Sequence, residues 1–150
     1  MREILEGRAE GSDLSEFLIA LKNKGETSDE VGAFVAEMFN HSAPINITQR
    51  SVDTVGTGGD GAHTINISTT AAIIAAAAGA RVVKHGNRAS SSKSGAADLL
   101  EALGVNISLD GAGVEKTVSE LGIGFCFAQK FHPAMKNAAA VRKELAVPTV

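Results

Sequence analysis

The chain has 150 residues, with 14 Lys and Arg against 17 Asp and Glu, a formal charge of −3, and is 44% hydrophobic. That balance gives an ordinary globular domain with enough chain for a real core, and it lacks the basic excess with which proteins grip nucleic-acid phosphates. The lone Cys126 excludes an internal disulfide and so a secreted disulfide scaffold.

The N-terminus, Met1-Arg2-Glu3-Ile4, carries no apolar run of signal-peptide length. The most apolar stretch, Ala71 to Ala80, is too short to span a bilayer and is stopped by Arg81. A cytoplasmic protein with no membrane partner is therefore expected. The first fifty residues read as helices. In Asp13–Lys24, Leu14, Phe17, Leu18 and Leu21 fall on one helical face, and Gly25 supplies a stop. Thr27 and Glu30 have capping-box spacing, and Val31, Phe34, Val35 and Met38 repeat the apolar face.

At Ala43-Pro44 the pattern changes. Ser51–Val55 reads as a short strand running into the glycine-rich turn Gly56–Gly61. Ser68 or Thr69 is expected to cap an Ala-rich helix that ends near Gly79. Arg81–Lys84 reads as a second strand, followed by a polar loop, Gly86–Ser94. A helix through Ala96–Leu103 stops at Gly104, Asp110 is placed to cap the next, and Ile123–Ala128 is a third strand. Pro133 opens a last helix running to about Leu145, and Val147-Pro148-Thr149-Val150 reads as a strand cut short. Strands alternating with helices argue for βαβ units and a parallel sheet. The fold class is α/β, with a helical domain over 1–46 and the first part of an α/β domain over 47–150. The helix over 131–146 is free to pack with the helical domain.

Two loops carry the chemistry. Four glycines in Gly56–Gly61 let backbone N–H groups approach an anion, and Asp60 adds a carboxylate suited to a ribose hydroxyl or a metal. Asn66, Ser68, Thr69 and Thr70 gather at the start of the next helix, where free N–H donors and the helix dipole favour an anion. The turn is neither a P-loop, whose lysine is missing, nor a G-x-G-x-x-G fingerprint. The second loop, Lys84-His85-Gly86-Asn87-Arg88 followed by Ser90 to Gly95, mixes cations, an imidazole, an amide and hydroxyls. In a parallel sheet both loops leave the carboxyl ends of their strands and face one crevice. Taken singly, each loop also has a plainer reading, as a capped tight turn and as a solvated polar loop.

Together the segments Val55–Asp60, Asn66–Thr69, Lys84–Arg88, Ser91–Gly104 and Phe131–Met135 resemble the motifs of anthranilate phosphoribosyltransferases, and the likeness runs along essentially the whole chain. The resemblance implies the nucleoside phosphorylase/phosphoribosyltransferase type of α/β domain. It also implies transfer of a phosphoribosyl group from phosphoribosyl pyrophosphate (PRPP) to the amine of anthranilate, with Mg²⁺, in tryptophan biosynthesis. By the same resemblance Gly56, Gly59, Asp60, Thr64, Asn66, Ile67, Ser68 and Thr69 hold PRPP, and Ser68 also ligates one Mg²⁺. Lys84, His85, Gly86, Asn87, Arg88, Ala89, Ser90, Ser91, Ser92 and Ala96 close over phosphates and ribose. Gly56, Asn87 and Arg142 meet anthranilate, with His85 and His132 along its route. No general base is assigned. The family's further strands and acidic pair are not found in these residues, so the chain is expected to be the front part of an enzyme, inactive by itself, whose intact form is a homodimer. A pyrimidine nucleoside phosphorylase, or a non-catalytic relative binding phosphosugar or nucleic acid, remains the alternative.

Overall fold

In a computed structural model, residues 1–56, 65–89 and 94–145 are described. In chain order the elements are α1 (Arg2–Leu5), α2 (Gly11–Lys24), α3 (Ser28–Asn40), α4 (Ile67–Ala77), β1 (Val82–Gly86), α5 (Ala96–Ala102), α6 (Gly111–Leu121), β2 (Ile123–Phe127), α7 (Ala128–Phe131), a 3₁₀ turn (Pro133–Met135) and α8 (Lys136–Leu145). The strand expected over Val147–Val150 lies outside the described residues. The chain divides into two compact units, one of Met1–Ser42 with the segment from His132 onward, the other of Ala43–Phe131.

The first unit is helical. Leu14 and Leu18 of α2 bury against Ala138 of α8, with Ile4, Val141 and Leu145 closing the cluster. The Asn137 side chain donates to the Leu5 carbonyl at 2.8 Å and fastens α1 to α8. The Thr27–Glu30 capping box forms as its spacing predicts: the hydroxyl accepts from Glu30 N–H at 3.3 Å and the carboxylate from Thr27 N–H at 3.0 Å. The apolar face of α3 buries none of its residues fully, and Phe34 meets Phe17 edge to face at 6.5 Å.

The second unit is built on a parallel pair, with Val82 opposite Ile123 and Gly86 opposite Phe127. Alternation along β2 sends its side chains to two covered faces. Phe125 and Phe127 join Ala97, Leu100 and Ile107, while Cys126 joins Val114, Val118 and Phe131. Ala43, Ile45 and Ile47 lie over the second cluster, and Ala43 N–H donates to the Phe131 carbonyl, which is why this unit starts at Ala43.

Three local expectations are corrected. The segment 51–55 makes a single parallel bridge, Val52 with Val82, rather than a strand. The cap of α4 is Asn66, whose Oδ1 accepts from Thr69 N–H at 3.3 Å; a side-chain amide two residues upstream outcompetes Ser68, which already lies inside the helix. The second strand, expected over Arg81–Lys84, runs on to Gly86, because His85 and Gly86 pair with Cys126 and Phe127 of β2.

Gly124 lets α6 close on β2: a Cβ there would stand 2.6 Å from Val118 Cγ2 and 2.8 Å from Val114 Cγ1. Gly124→Ala should therefore cost about 1–3 kcal/mol, seen as a lower urea midpoint. Gly32→Ala, at a helical site where a Cβ meets nothing within 4 Å, should not lower it.

Candidate functional site at the carboxyl end of the sheet

The site begins with a pairing. Val52 N–H donates to the Arg81 carbonyl and Val83 N–H to the Val52 carbonyl, each at 3.0 Å, which lays the chain before the glycine turn parallel to β1. Both segments therefore run off the same end of the sheet. Lys84, 3% exposed, reaches across and donates to the Thr54 carbonyl at 2.6 Å and to its neighbour's, His85, at 3.4 Å. The Thr54 hydroxyl donates to the Ser68 carbonyl at 2.8 Å and so ties the first turn of α4 to the same place. Burial lowers the Lys84 pKa, against the pull of the nearby Asp53 carboxylate.

Asp53 faces His85. Its Oδ1 accepts His85 N–H at 3.3 Å and its Oδ2 pairs with Nδ1 of the imidazole. The next residues are fastened to α5. Arg88 forms ion pairs with Asp98 at 3.0 Å and Glu101 at 2.8 Å, and its guanidinium lies over the Phe127 ring at 5.7 Å. Asp98 also accepts Ala89 N–H at 2.9 Å and Gly95 N–H at 2.8 Å, so one carboxylate gathers residues on both sides of 90–93. Those N–H donors, with Arg88, hold the Asp98 carboxyl below the usual carboxylate range, and Glu101 with Asp98 raises the Arg88 pKa.

The glycines divide by cause. A Cβ on Gly95 would strike Ala89 N at 2.3 Å, and one on Gly86 would come to 2.8 Å from Ala96 Cβ, so both answer to packing within the chain. A Cβ on Gly56 would meet nothing within 4 Å. No packing in the described chain explains that missing side chain.

The sequence-predicted residues sort accordingly. Gly56, Asn66, Ile67, Ser68 and Thr69 come together with Lys84 and His85 through the Thr54 and Lys84 bonds. Thr69 is 1% exposed and its Oγ1 finds no partner among the described residues. Gly86 follows on β1. Asn87 bends the chain, its Oδ1 accepting Arg88 N–H and its carbonyl accepting Ala97 N–H at 3.2 Å. Ala89 and Ala96 flank the loop. Gly59, Asp60, Thr64, Ser90, Ser91 and Ser92 lie outside the described residues. Arg142 and His132 belong to the helical unit, Arg142 bordering an apolar recess with Leu14, Leu18, Phe34 and Ala138. Sequence reading missed Asp53, Thr54, Asp98 and Glu101. Asp98 stands three residues after Gly95, the spacing of a helix-start carboxylate, and strand alternation puts Asp53 on the face of Val83 and His85; both signals were available.

Two family models match the sequence, "Glycosyl transferase family, helical bundle domain" over residues 1–42 and "Glycosyl transferase family, a/b domain" over 48–150. The chain belongs to this glycosyl transferase family. Its α/β architecture with a preceding helical domain is the one the family models describe. Similar relatives carry the name anthranilate phosphoribosyltransferase. That of an Arthrobacter species is 53% identical over 99% of this chain, and that of Saccharopolyspora erythraea 54% over 97%. The chain spans 42% of the length of both curated relatives. The crystal structure of the Thermus thermophilus enzyme superposes with a TM-score of 0.93 at 46% identity, covering 99% of this chain and 45% of that one. The Saccharomyces cerevisiae enzyme in complex with PRPP and Mg gives 0.84 at 34% identity, over 93% of this chain and 40% of that one.

Asp98 supplies a test of the loop fastening. Its folded-state pKa is depressed, so its contribution is present above about pH 4, the unfolded carboxylate range, and is lost as pH falls through the lower folded value. Ala89 and Gly95 amides should be protected from hydrogen exchange at neutral pH and lose that protection in acid. In Asp98→Ala they should exchange freely at neutral pH as well.

Proposed function

We propose that the protein transfers the phosphoribosyl group of PRPP to the amine of anthranilate, releasing pyrophosphate and giving N-(5-phosphoribosyl)anthranilate, a step of tryptophan biosynthesis. The observation that carries this reading is the convergence of Thr54–Gly56, the N-terminal turn of α4 and the end of β1 on one end of a parallel sheet. The sequence kinship with named anthranilate phosphoribosyltransferases supports it.

The parts divide the work by chemistry. Gly56 leaves open space for a ligand to approach the backbone. The start of α4 turns the positive end of its helix dipole and the Ser68 N–H toward phosphate, the Ile67 and Thr69 N–H groups being taken by the Ile65 carbonyl and Asn66 Oδ1, and Gly59, Asp60 and Thr64 are further ligands in this reading. Lys84 holds the two segments together beside the phosphates, and His85, Gly86, Asn87, Ala89, Ser90, Ser91, Ser92 and Ala96 line the sugar side. Arg88 holds the chain after β1 against α5 through Asp98 and Glu101 and is a further ligand of the phosphates in this reading. Asn87 and Gly56 meet the acceptor, whose carboxylate suits the planar guanidinium of Arg142.

Mg²⁺ fits this donor set in a particular way. Ser68 and the orphaned Thr69 hydroxyl are hard oxygen donors, and no group of three His, Cys, Asp or Glu is found among the described residues. A cation held by Ser68 would thus share the phosphates and keep water ligands, as Mg²⁺ does. When bound, it supplies charge stabilisation to the leaving pyrophosphate. The residues of the chain align the amine with C1 of the ribose, because an arylamine is already a usable nucleophile.

We further propose a cytoplasmic homodimer with no nucleic-acid or membrane partner. No described helix is long and apolar enough to cross a membrane. The helical unit exposes Phe39 at 69% and Val35 at 43%, apolar area that suits a second subunit.

With the 150 residues continued to the family's full length, loss of anthranilate fluorescence should require PRPP and Mg²⁺ together; folded protein without that loss would contradict the proposal. In the same protein Arg142→Ala should raise KM for anthranilate about tenfold or more and leave KM for PRPP nearly unchanged.

A further inference from the structure

The pair formed by Asp53 and His85 is not explained by phosphate binding. His85 is no core histidine, since its side chain is 55% exposed, and the Asp53 side chain is 31% exposed. The carboxylate grips at two points, with Oδ1 on the backbone N–H and Oδ2 on Nδ1. The parallel bridge of Val52 with Val82, continued one residue, sets Asp53 beside Val83, and His85 shares that face of β1. The contact is therefore built into the sheet. Among the described residues, the Lys84 ammonium on β1 and the Cys126 thiol opposite His85 on β2 feel the Asp53 charge. Burial pushes that thiol up to about 11, so it stays neutral and does not compete for the imidazole.

A carboxylate only accepts hydrogen bonds, so an imidazole nitrogen facing one carries the proton. We infer that Asp53 is a positioning residue that fixes the proton of His85 on Nδ1 and leaves Nε2 as the acceptor for the proton released by the attacking amine. This deepens the proposed phosphoribosyl transfer and rests on it. In the step, the nitrogen lone pair forms the bond to C1 as the C1–O bond breaks and its electron pair leaves with pyrophosphate. The new secondary ammonium passes one proton to Nε2. Asp53 offsets the imidazolium, which returns the proton to water after product departs. The same division of labour between carboxylate and imidazole is known in hydrolytic triads.

Asp53→Asn separates this role from a structural one. The amide oxygen would keep the backbone N–H, turning its NH₂ toward Nδ1, and so would force the proton to Nε2. The experiment uses the chain continued to the family's full length, with ¹⁵N imidazole shifts recorded at about pH 8, where histidine is neutral, and steady-state kinetics beside them. The expected wild-type signature is a protonated Nδ1 and a bare Nε2. Asp53→Asn should invert it, lowering kcat tenfold or more with KM for PRPP within about twofold. Full kcat in spite of inversion, or an Nδ1 proton retained in the variant, overturns the inference. A wild-type protein with its proton on Nε2 overturns it with no variant needed, even if Asp53→Asn fails to fold. If wild type does not turn over anthranilate, the functional reading fails. The shifts alone then decide the positioning, inversion supporting it and retention overturning it.

Discussion

One parallel bridge decides the geometry of this protein. Because Val52 pairs with Val82 in the direction of β1, the chain entering the glycine turn and the chain leaving β1 emerge at the same end of the sheet. Antiparallel pairing of the same residues would have sent them to opposite ends. The bridge is short, and side chains extend it: Lys84 bonds the Thr54 carbonyl, Thr54 bonds the Ser68 carbonyl, and Asp53 holds His85. Burying an ammonium is costly unless it is hydrogen-bonded, and here the carbonyls of two residues do that. The buried lysine thus serves as a fastener between the two segments.

The loop after β1 is held by a second fastener. Asp98, early in α5, accepts two backbone N–H groups and an Arg88 ion pair, and Gly95 allows the backbone approach this requires. Phe127 underlies the Arg88 guanidinium and belongs to the core at the same time. Packing of β2 and positioning of the loop are therefore parts of one arrangement. Gly56 stands apart, since the described chain leaves open the space where its side chain would be.

Much of this was legible from residue order. The leucine stripe of α2, the Thr27–Glu30 capping box and the Asp110 cap of α6 all follow from local rules, and each formed. The common end of the two loops follows from parallel topology. What local rules could not give was competition between neighbours. Asn66, Ser68 and Thr69 are all capping residues, and only backbone geometry selects Asn66. The polar residues after Lys84 hid the end of β1, because His85 and Gly86 carry no apolar alternation and are held in the strand by pairing with Cys126 and Phe127. Asp53 and Asp98 left only local signals, strand alternation and the spacing from Gly95, and Glu101 left none, because the partners that make them site residues lie further along the chain. Their partners are 32, 9 or 10, and 13 positions away in sequence, and only the folded chain brings them together.

The central claim is that two segments at one end of the sheet grip a single sugar diphosphate. Backbone amide shifts recorded while PRPP and Mg²⁺ are added test it most directly. The account predicts that amides of Gly56–Thr69 and of Lys84–Ala96 move together, with one shared midpoint. Movement of one segment alone, or two separate midpoints, would contradict it.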